Sequence, residues 1–358
     1  MKYSITFYCE TVTPMFMAGA DGVTPELRPP SIKGALRFWW RAMHGHLLEF
    51  KNGHWNYELI KAKESEIFGD PGEVFGKSKV QILISEPLMD VSWDDLPEHR
   101  HQTYSGNSRN NRSFNINIID YMAFGPVTRD KELKKNVLTR GYFKDGRTFK
   151  LVFKTDEKYA NDVCEAFYML AQHGGLGSKS RNGFGGFKIK RVETSYLDMS
   201  QLHDPEMNLT RIDDNFQIDL NSYCKTTVKP FTTLSAKCMI FQTDLQKNWH
   251  SALAILGRKY QSAREGFERW HDWYNREIIA MPIIVQKERN QDDNFLERHT
   301  KPYFFHVSKV AEEAFRGEIL CLPYIYLQDH EKYSGKYLAD YEEIISDFNK
   351  RLSLRNIK

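Results

Sequence analysis

The chain has 358 residues, 41% of them hydrophobic, so it is long enough for two folded domains and too apolar for a disordered protein. Its 50 Lys and Arg oppose 47 Asp and Glu, and this balance excludes a uniformly basic surface, so any polyanion must bind to clustered cations. The five cysteines form no CxxC pair and no apolar run approaches the ~20 residues of a membrane span, so we expect a cytoplasmic protein with reduced thiols, no signal peptide and no membrane segment.

The N-terminal part alternates strand and helix signals. Residues 3–9 alternate apolar and polar side chains, which predicts a half-buried strand. Ser31 is the predicted N-cap of a helix that runs to about Leu48, because apolar residues follow it at spacings of three and four. Further along, the same criteria predict strands at 79–85 and 147–154, a helix capped by Thr155 or Asp156 and ended by Gly174, and a closing strand at 186–192.

This order of strand, helix, strand, strand, helix, strand is typical of a ferredoxin-like fold. Residues 90–146 are then an insertion between the second and third strands. Within 100–147, ten Lys and Arg oppose four acids, so the insertion is basic. The stretch YSGNSRNNRSFN inside it is polar and turn-prone, which predicts a loop.

The C-terminal part repeats the α+β pattern less regularly. A polar segment at 194–214 is the predicted linker between a domain at 1–195 and a domain at 196–358. The predicted elements are strands at 216–220, 282–286, 303–307 and 318–327, a long helix at about 246–277, and a last helix that carries Tyr337, Tyr341, Ile344, Ile345, Phe348 and Leu352.

The predicted helix after Ser31 carries a basic row beside its apolar stripe. Its members share a sector of about 80° and are Lys33, Arg37, Arg41 and His44. No acid lies between Glu26 and Glu49, whereas a solvated helix face usually mixes both signs. The row therefore favours phosphate binding over a merely solvated face.

A second candidate segment is HGGLGSKSRNGFGGFKIK, at 173–190, with six glycines and four cations. Ser178 stands where a Walker A motif requires Gly, and Ser180 stands where the dinucleotide motif requires Gly, so both motifs are excluded. Glycines allow backbone N–H groups to approach a phosphate, which we favour over a flexible connector. The predicted RNA contacts of this segment are Gly175, Gly177, Lys179, Arg181, Phe184 and Lys188, and Phe184 lies in a GFGGF run similar to the aromatic strand motif of the RRM.

Catalytic chemistry has weaker support. The pairs His44/His46 and His99/His101 lack the further ligands that a zinc site needs, so we predict no metal and no cofactor. A metal-independent ribonuclease requires a general base, for which His173 and His44 are the candidates.

Several motifs together resemble the RAMP superfamily of CRISPR proteins. They are TPMFMAGADGVTPELRPPSIKGALRFWWRAMHG at 13–45, FG at 68–69, GGLGSKSRNGFGGF at 174–187 and LPY at 322–324. Within the superfamily they are most similar to the first-numbered RAMP subunit of the type III-B (Cmr) effector complex. The resemblance is strong over about residues 1–190 and weaker beyond. Near 298–307 the family pattern R-x-x-S-P is replaced by RHTKPYFFHV, with Lys301 before the proline.

The resemblance implies two tandem ferredoxin-like (RRM-like) domains and a non-catalytic, RNA-binding subunit. Such a subunit holds the 3′ region of a CRISPR guide RNA, helps to capture target RNA, and contacts a neighbouring RAMP subunit and other Cmr subunits. Lys33, Arg37 and Arg41 fall in its helix signature, and Lys179 and Arg181 fall in its Gly-rich loop. The alternative is a metal-independent RAMP-type endoribonuclease that processes CRISPR transcripts.

Overall fold

The alternating N-terminal segment forms the first strand, β1 (Tyr3–Thr11). The structure is a computed structural model that describes residues 3–72, 74–104, 113–196, 218–270, 279, 301–325 and 335–358. One face of β1 buries Tyr3, Ile5 and Phe7 completely, and the Phe7 ring lies 4.5 Å from that of Phe167. The predicted period of two therefore sets which face of the strand meets the core.

The other elements before residue 197 are α1 (Pro29–Met43), β2 (Glu49–Lys51), β3 (His54–Asn56), α2 (Glu58–Phe68), β4 (Gln81–Glu86), β5 (Val91–Ser92), β6 (Arg100–Tyr104), β7 (Ser113–Asn117), α3 (Ile118–Met122), β8 (Val127–Arg129), β9 (Asn136–Leu138), β10 (Tyr142–Phe143), β11 (Thr148–Thr155), α4 (Ala160–His173) and β12 (Phe187–Tyr196). Four of these strands form an antiparallel sheet in the order β12-β1-β11-β4. The predicted order of strands and helices is therefore present, with the sheet order fourth, first, third, second.

Helix α1 begins earlier and ends earlier than predicted. Pro29 and Pro30 occupy its first positions and Arg28 is the N-cap, so Ser31 lies inside the helix. Proline suits the first turn because its missing N–H has no partner there in any helix and its φ is already helical. After Met43 the chain tightens into a 3-10 turn at Gly45–Leu47. Similarly, a 3-10 turn at Glu157–Tyr159 precedes α4, so that helix starts later than its predicted cap.

The second half contains α5 (Leu220–Tyr223), β13 (Met239–Gln242), α6 (Trp249–Trp270), β14 (Tyr303–Ala311), β15 (Ala314–Cys321), α7 (Gly335–Arg351) and β16 (Arg355–Asn356). Its antiparallel sheet has the order β14-β15-β13-β16. Numbered along the chain and read from β16, the four strands of this sheet again have the order fourth, first, third, second. Tyr260 of α6 packs its ring 5.1 Å from Phe305, and Phe348 of α7 lies 5.0 Å from Tyr303, so both helices cover one sheet.

Two predictions for this half are corrected. The strand expected at 216–220 is absent in its described part, because residues 218–219 have no regular structure and Leu220 begins α5. Asp219 is the reason: its side chain accepts from the Asn221 amide and caps the short helix. The strand expected at 318–327 ends at Cys321. The strand predicted at 282–286 and most of the 194–214 linker lie outside the described residues.

The insertion packs against the second half of the chain. Helix α3 meets α6, where a Cβ on Gly257 would lie 2.9 Å from Ile118, so the missing side chain permits the approach. Hairpin β6–β7 is tied to α6 because His101 bonds Gln261 at 2.7 Å. Phe16 and Phe184 share one buried cluster with residues of α6, β14 and β15.

None of the described helices combines the length and apolar character needed to cross a membrane.

Replacing Phe7 by Ala should lower the free energy of unfolding by about 4 kcal/mol, because it leaves a cavity in the packed core between β1 and α4. Chemical denaturation measures this. Phe114→Ala, at a half-exposed ring on β7, is the control and should cost less than about 1 kcal/mol. A cost for Phe7→Ala as small as that of the control would contradict the placement of β1.

Candidate nucleic-acid interface

The basic row of α1 meets an acid that the fold brings from elsewhere. Arg37 Nε lies 2.5 Å and Arg41 Nη1 lies 2.6 Å from Glu64 Oε1, on the neighbouring helix α2. The Glu64 side chain is only 8% exposed, whereas each arginine is 37% exposed. One carboxylate therefore orients both guanidinium groups and cancels part of their charge, while their outer edges stay open to solvent.

The two ends of the row differ. Lys33 has its pKa lowered by partial burial and by the nearby charge of Arg37. His44 stacks on Trp40 with ring centroids 4.2 Å apart, and its Nδ1 lies 2.8 Å from the Trp40 carbonyl oxygen. Burial lowers the pKa of His44, against the opposing effects of that carbonyl and Asp162, so the ring is mainly neutral at pH 7. The cationic part of the row is thus Lys33, Arg37 and Arg41.

The Gly-rich loop packs its backbone directly against residues 14–17. The Ser178 amide donates to the Phe16 carbonyl at 2.7 Å, and the Gly185 amide donates to the Pro14 carbonyl at 2.8 Å. Gly177 has φ +88°, and a Cβ there would lie 2.5 Å from the Phe16 oxygen. The glycines therefore allow the backbone of the loop to lie directly against the backbone of residues 14–17.

A groove opens beside this packing and is called here the loop groove. It has a volume of about 450 Å³ and is lined by residues 16–19, Gly22, Ser31, Ala35, Arg140, Gly175, Gly177, Ser178 and Ser180. The amides of Gly175 and Gly177 have no hydrogen-bond partner among the described residues. Arg140 donates to Ser178 Oγ at 3.3 Å, and its buried Nε has no partner within the same described ranges. Amides and a guanidinium at one groove are suited to bind phosphate.

Arg181 lies between two aromatic rings. Its guanidinium carbon is 5.0 Å from the centre of Phe38, on α1, and 4.6 Å from the centre of Phe304, on β14. Its carbonyl accepts from the Phe305 amide at 3.2 Å, which joins the loop to the second sheet. The buried Nη1 has no hydrogen-bond partner in the part of the chain that the structure describes. Burial also lowers the pKa of the Arg181 guanidinium, as expected for a cation that is partly removed from water.

A further cation group surrounds Lys301. The Lys301 ammonium lies 4.0 Å from the centre of the Phe305 ring. Burial lowers its pKa well below the usual range, and the charges of Arg264, Arg181 and Lys179 lower it further. Lys301 thus lies within electrostatic reach of these three cations, and an anion bound here would reduce their mutual repulsion.

Two predicted contacts lie elsewhere. Phe184 is fully buried, with its ring 5.4 Å from Phe16, so the prediction that its ring meets RNA is corrected: the ring belongs to the core. Phe187 points into the core, so Lys188, the next residue on β12, projects from the opposite face of the sheet. There Lys188 lies 3.6 Å from Glu10, apart from the α1 row.

His173, the candidate general base, forms a buried pair. It is 7% exposed and its Nδ1 lies 2.6 Å from Glu318 Oε1, on β15. Glu318 Oε2 accepts from Gln242 at 3.1 Å. The pair therefore ties the end of α4 to the second sheet. Among the described residues, no group of three or more His, Cys, Asp or Glu is placed to hold a metal ion.

Comparison with known proteins decides the family. The sequence family known as the RAMP superfamily matches residues 8–188, which is just over half of the chain. The matched part contains α1 and the Gly-rich loop. The chain belongs to the RAMP superfamily. The resemblance predicted from the sequence is thereby confirmed.

Two relatives of this RAMP protein come from Pyrococcus furiosus. The chain is 29% identical over 200 residues to the CRISPR system Cmr subunit Cmr1-2, covering 54% of this chain and 100% of the relative. It is 22% identical over 342 residues to Cmr subunit Cmr1-1, covering 92% of this chain and 89% of the relative. Both relatives are Cmr subunits, so the predicted position within the superfamily agrees with them.

Two solved structures share the fold. The crystal structure of apo Cmr1 from Pyrococcus furiosus has a TM-score of 0.53 at 18% identity, and covers 99% of this chain and 98% of that one. A chain in the cryo-EM structure of the type III-B Cmr-beta complex, bound to cognate target RNA and AMPPnP in the presence of ssDNA, has a TM-score of 0.50 at 14% identity, and covers 98% and 100%. At these low sequence identities the comparison shows a shared fold, with mixed helices and strands and antiparallel sheets.

Sequence reasoning missed several residues of this RAMP protein's candidate interface. Arg140 was one of ten cations in the insertion, and Arg264 was one residue of a long helix. Lys301 carried the only signal, since it stands where the family pattern differs. Glu64 gave none, because only the packing of α2 on α1 brings it to Arg37.

The Glu318–His173 pair should make stability depend on pH. Burial alone would raise the pKa of Glu318, but the charge and hydrogen bond of His173, the charge of His306 and the hydrogen bond of Gln242 together outweigh it and hold that pKa below its usual value. Since the folded pKa is lower than the unfolded value of about 4.3, the contribution is present above pH ~4.3 and is lost as pH falls through the folded pKa. Wild type should therefore exceed Glu318→Gln in unfolding free energy by about 2 kcal/mol at neutral pH, and the difference should shrink below pH ~4.

Urea denaturation across this pH range checks the expectation. Glu312→Gln, at an exposed carboxylate on the same side of the β14–β15 turn, is the matched control and should change stability by less than about 0.5 kcal/mol throughout. A pH-independent difference for Glu318→Gln would contradict the lowered pKa of the Glu318 carboxylate.

Proposed function

We propose that this chain is a non-catalytic RNA-binding subunit of a cytoplasmic type III-B CRISPR (Cmr) complex. It holds the 3′ region of the guide RNA, helps to capture target RNA, and docks on a neighbouring RAMP subunit and other Cmr subunits. The observation that carries the RNA-binding part is the arrangement of cations along α1 and the Gly-rich loop. The names of the two Pyrococcus furiosus relatives and the target RNA in the similar Cmr-beta complex support the assignment to a Cmr complex.

The packing of the Gly-rich loop on α1 supports one cationic track, called here the α1 track, made of Arg140, Arg181, Arg41 and Arg37. Ser31 and Ala35 line the loop groove, and Phe38 and Arg41 follow at spacings of three on the same face of α1. The Arg181 guanidinium lies over Phe38, so the loop and the helix share this face. A single-stranded backbone that follows α1 would meet Arg140, then Arg181, then Arg41. Clustering of this kind allows a chain of net charge +3 to bind a polyanion.

We also propose that the chain consists of two tandem ferredoxin-like domains, residues 1–195 and 196–358, with the insertion at 90–146. The support is the shared sheet order of fourth, first, third, second in both halves, each with two helices on the sheet. The second domain is the less regular one, since its strands β13 and β16 are short.

RNA binding should depend on salt and on Arg181. Log affinity for single-stranded RNA should fall with log salt, and Arg181→Ala should reduce the slope by about 0.7, because one phosphate contact is lost. The variant Arg37→Ala/Arg41→Ala should weaken binding further. It is made together with Glu64→Gln, so that no buried carboxylate is left unpaired. Fluorescence anisotropy of labelled RNA at several salt concentrations gives the affinities.

Arg355→Ala, at an exposed arginine on β16, is the matched control and should bind RNA as wild type does. Circular dichroism of each variant excludes unfolding as the cause of a loss. Unchanged affinity and slope in both interface variants would rule out the α1 track as the RNA site.

The chain should not cut RNA by itself. His173 is 7% exposed, and this burial, rather than the contact of its Nδ1 with Glu318, keeps a ribose hydroxyl away from the ring. Incubation of the purified chain with CRISPR repeat RNA in a chelator should leave the RNA intact, as seen by denaturing gel. Specific cleavage that disappears in His173→Ala would instead favour the endoribonuclease.

A further inference from the structure

A second pocket lies beside the α1 track, between α1, α2 and the segment before β13. It has a volume of about 370 Å³, within the ~300–1,000 Å³ of small-molecule sites. Its walls include three aromatic side chains, Phe38, Tyr57 and Phe231. Arg41 and Lys61 also line it. Flat apolar walls with cations beside them match a nucleotide, whose base is flat and whose phosphate is charged.

Glu64 supplies the polar group of this pocket. Both arginine bonds go to one of its oxygens, Oε1. Oε2 has no hydrogen-bond partner among the described residues, although the residue as a whole is only 6% exposed and lines the pocket. A carboxylate oxygen is only an acceptor when ionised, so it requires a ligand that presents N–H groups.

Among the RNA bases, guanine fits this requirement. Its Watson–Crick edge presents two adjacent donors, the N1–H and the 2-amino group. Adenine and cytosine each place an acceptor next to their amino group, and uracil flanks its N–H by two carbonyl oxygens. Those acceptors would face the lone pairs of Glu64, which costs free energy at a largely buried site.

We propose that this pocket holds one unstacked guanine of a bound RNA, with Glu64 Oε2 accepting from its donor edge and the aromatic side chains enclosing the ring. Arg41 joins the two sites, since it lines the pocket and belongs to the α1 track. The inference rests on the proposed RNA binding and adds a base preference to it. It gives Glu64 a second task besides orienting Arg37 and Arg41.

The test compares two RNAs that differ in one base. Each is an oligouridine of about ten nucleotides, with a single central guanine in one and adenine in the other. Both purines are similar in size and stacking, so the ratio of their affinities reports the base edge. Wild type should bind the guanine RNA about tenfold tighter, the order that a good pair of hydrogen bonds to a base gives. Glu64→Gln should bring the ratio close to one, because the single amide oxygen stays with Arg37 and Arg41 and the amide NH2 then places donors where Oε2 accepted.

The ratio is taken within each variant, so any change in general RNA affinity cancels. Glu66→Gln, two residues along α2 and bonded to Lys158 and Tyr159 outside the pocket, is the matched control and should keep the full preference. Tyr57→Ala, which removes a half-exposed ring of the pocket, should also lower the ratio.

Equal affinity of wild type for the two RNAs, with binding to both intact, would overturn the guanine pocket and leave the proposed RNA binding in place. A preference that survives in Glu64→Gln would overturn it as well. Loss of binding to plain oligouridine together with both test RNAs would overturn the proposed function and the pocket together.

Discussion

The close approach of the Gly-rich loop to residues 14–17 is the constraint on which the candidate interface depends. A Cβ at Gly177 would lie 2.5 Å from the Phe16 oxygen, and one at Gly185 would lie 1.8 Å from the Leu176 oxygen. Only glycine permits this contact, and φ is positive at both positions. The contact fixes Arg181 on the second sheet through Phe305 and sets its guanidinium over Phe38. The Gly-rich loop, α1 and the second sheet therefore meet at Arg181.

Positive and negative side chains are distributed unevenly around this meeting point of loop, helix and sheet. Near Lys301 the charged groups that shift its pKa are all cations, whereas near Arg37 one acid, Glu64, joins two arginines. The first arrangement gathers positive charge, and in the second the Glu64 carboxylate offsets part of that charge while it orients the two guanidinium groups. An interface built from both can attract a polyanion through one region and position it through the other.

The sequence predicted what local patterns encode. Alternation located β1 and β11, and the Gly-rich loop with its cations was identified by composition. Two prolines moved the start of α1 away from Ser31, and α2 was missed because its buried face includes the acid Glu64 as well as Ile60. Phe184 was misplaced because an aromatic residue beside glycines reads the same in a core and on a binding surface. Contacts such as Arg37–Glu64 and Lys301–Phe305 join distant segments, which no local pattern records.

The shared buried cluster has a consequence for how the chain is made. Val12, Phe16 and Phe184 belong to a buried cluster that includes residues of α6, β14 and β15, all of which are translated later. A nascent chain that has left the ribosome as far as β12 therefore carries an apolar face without its cover. Such faces attract chaperones and other nascent chains. The N-terminal half consequently completes its native packing only once α6, β14 and β15 have been made and have packed against it.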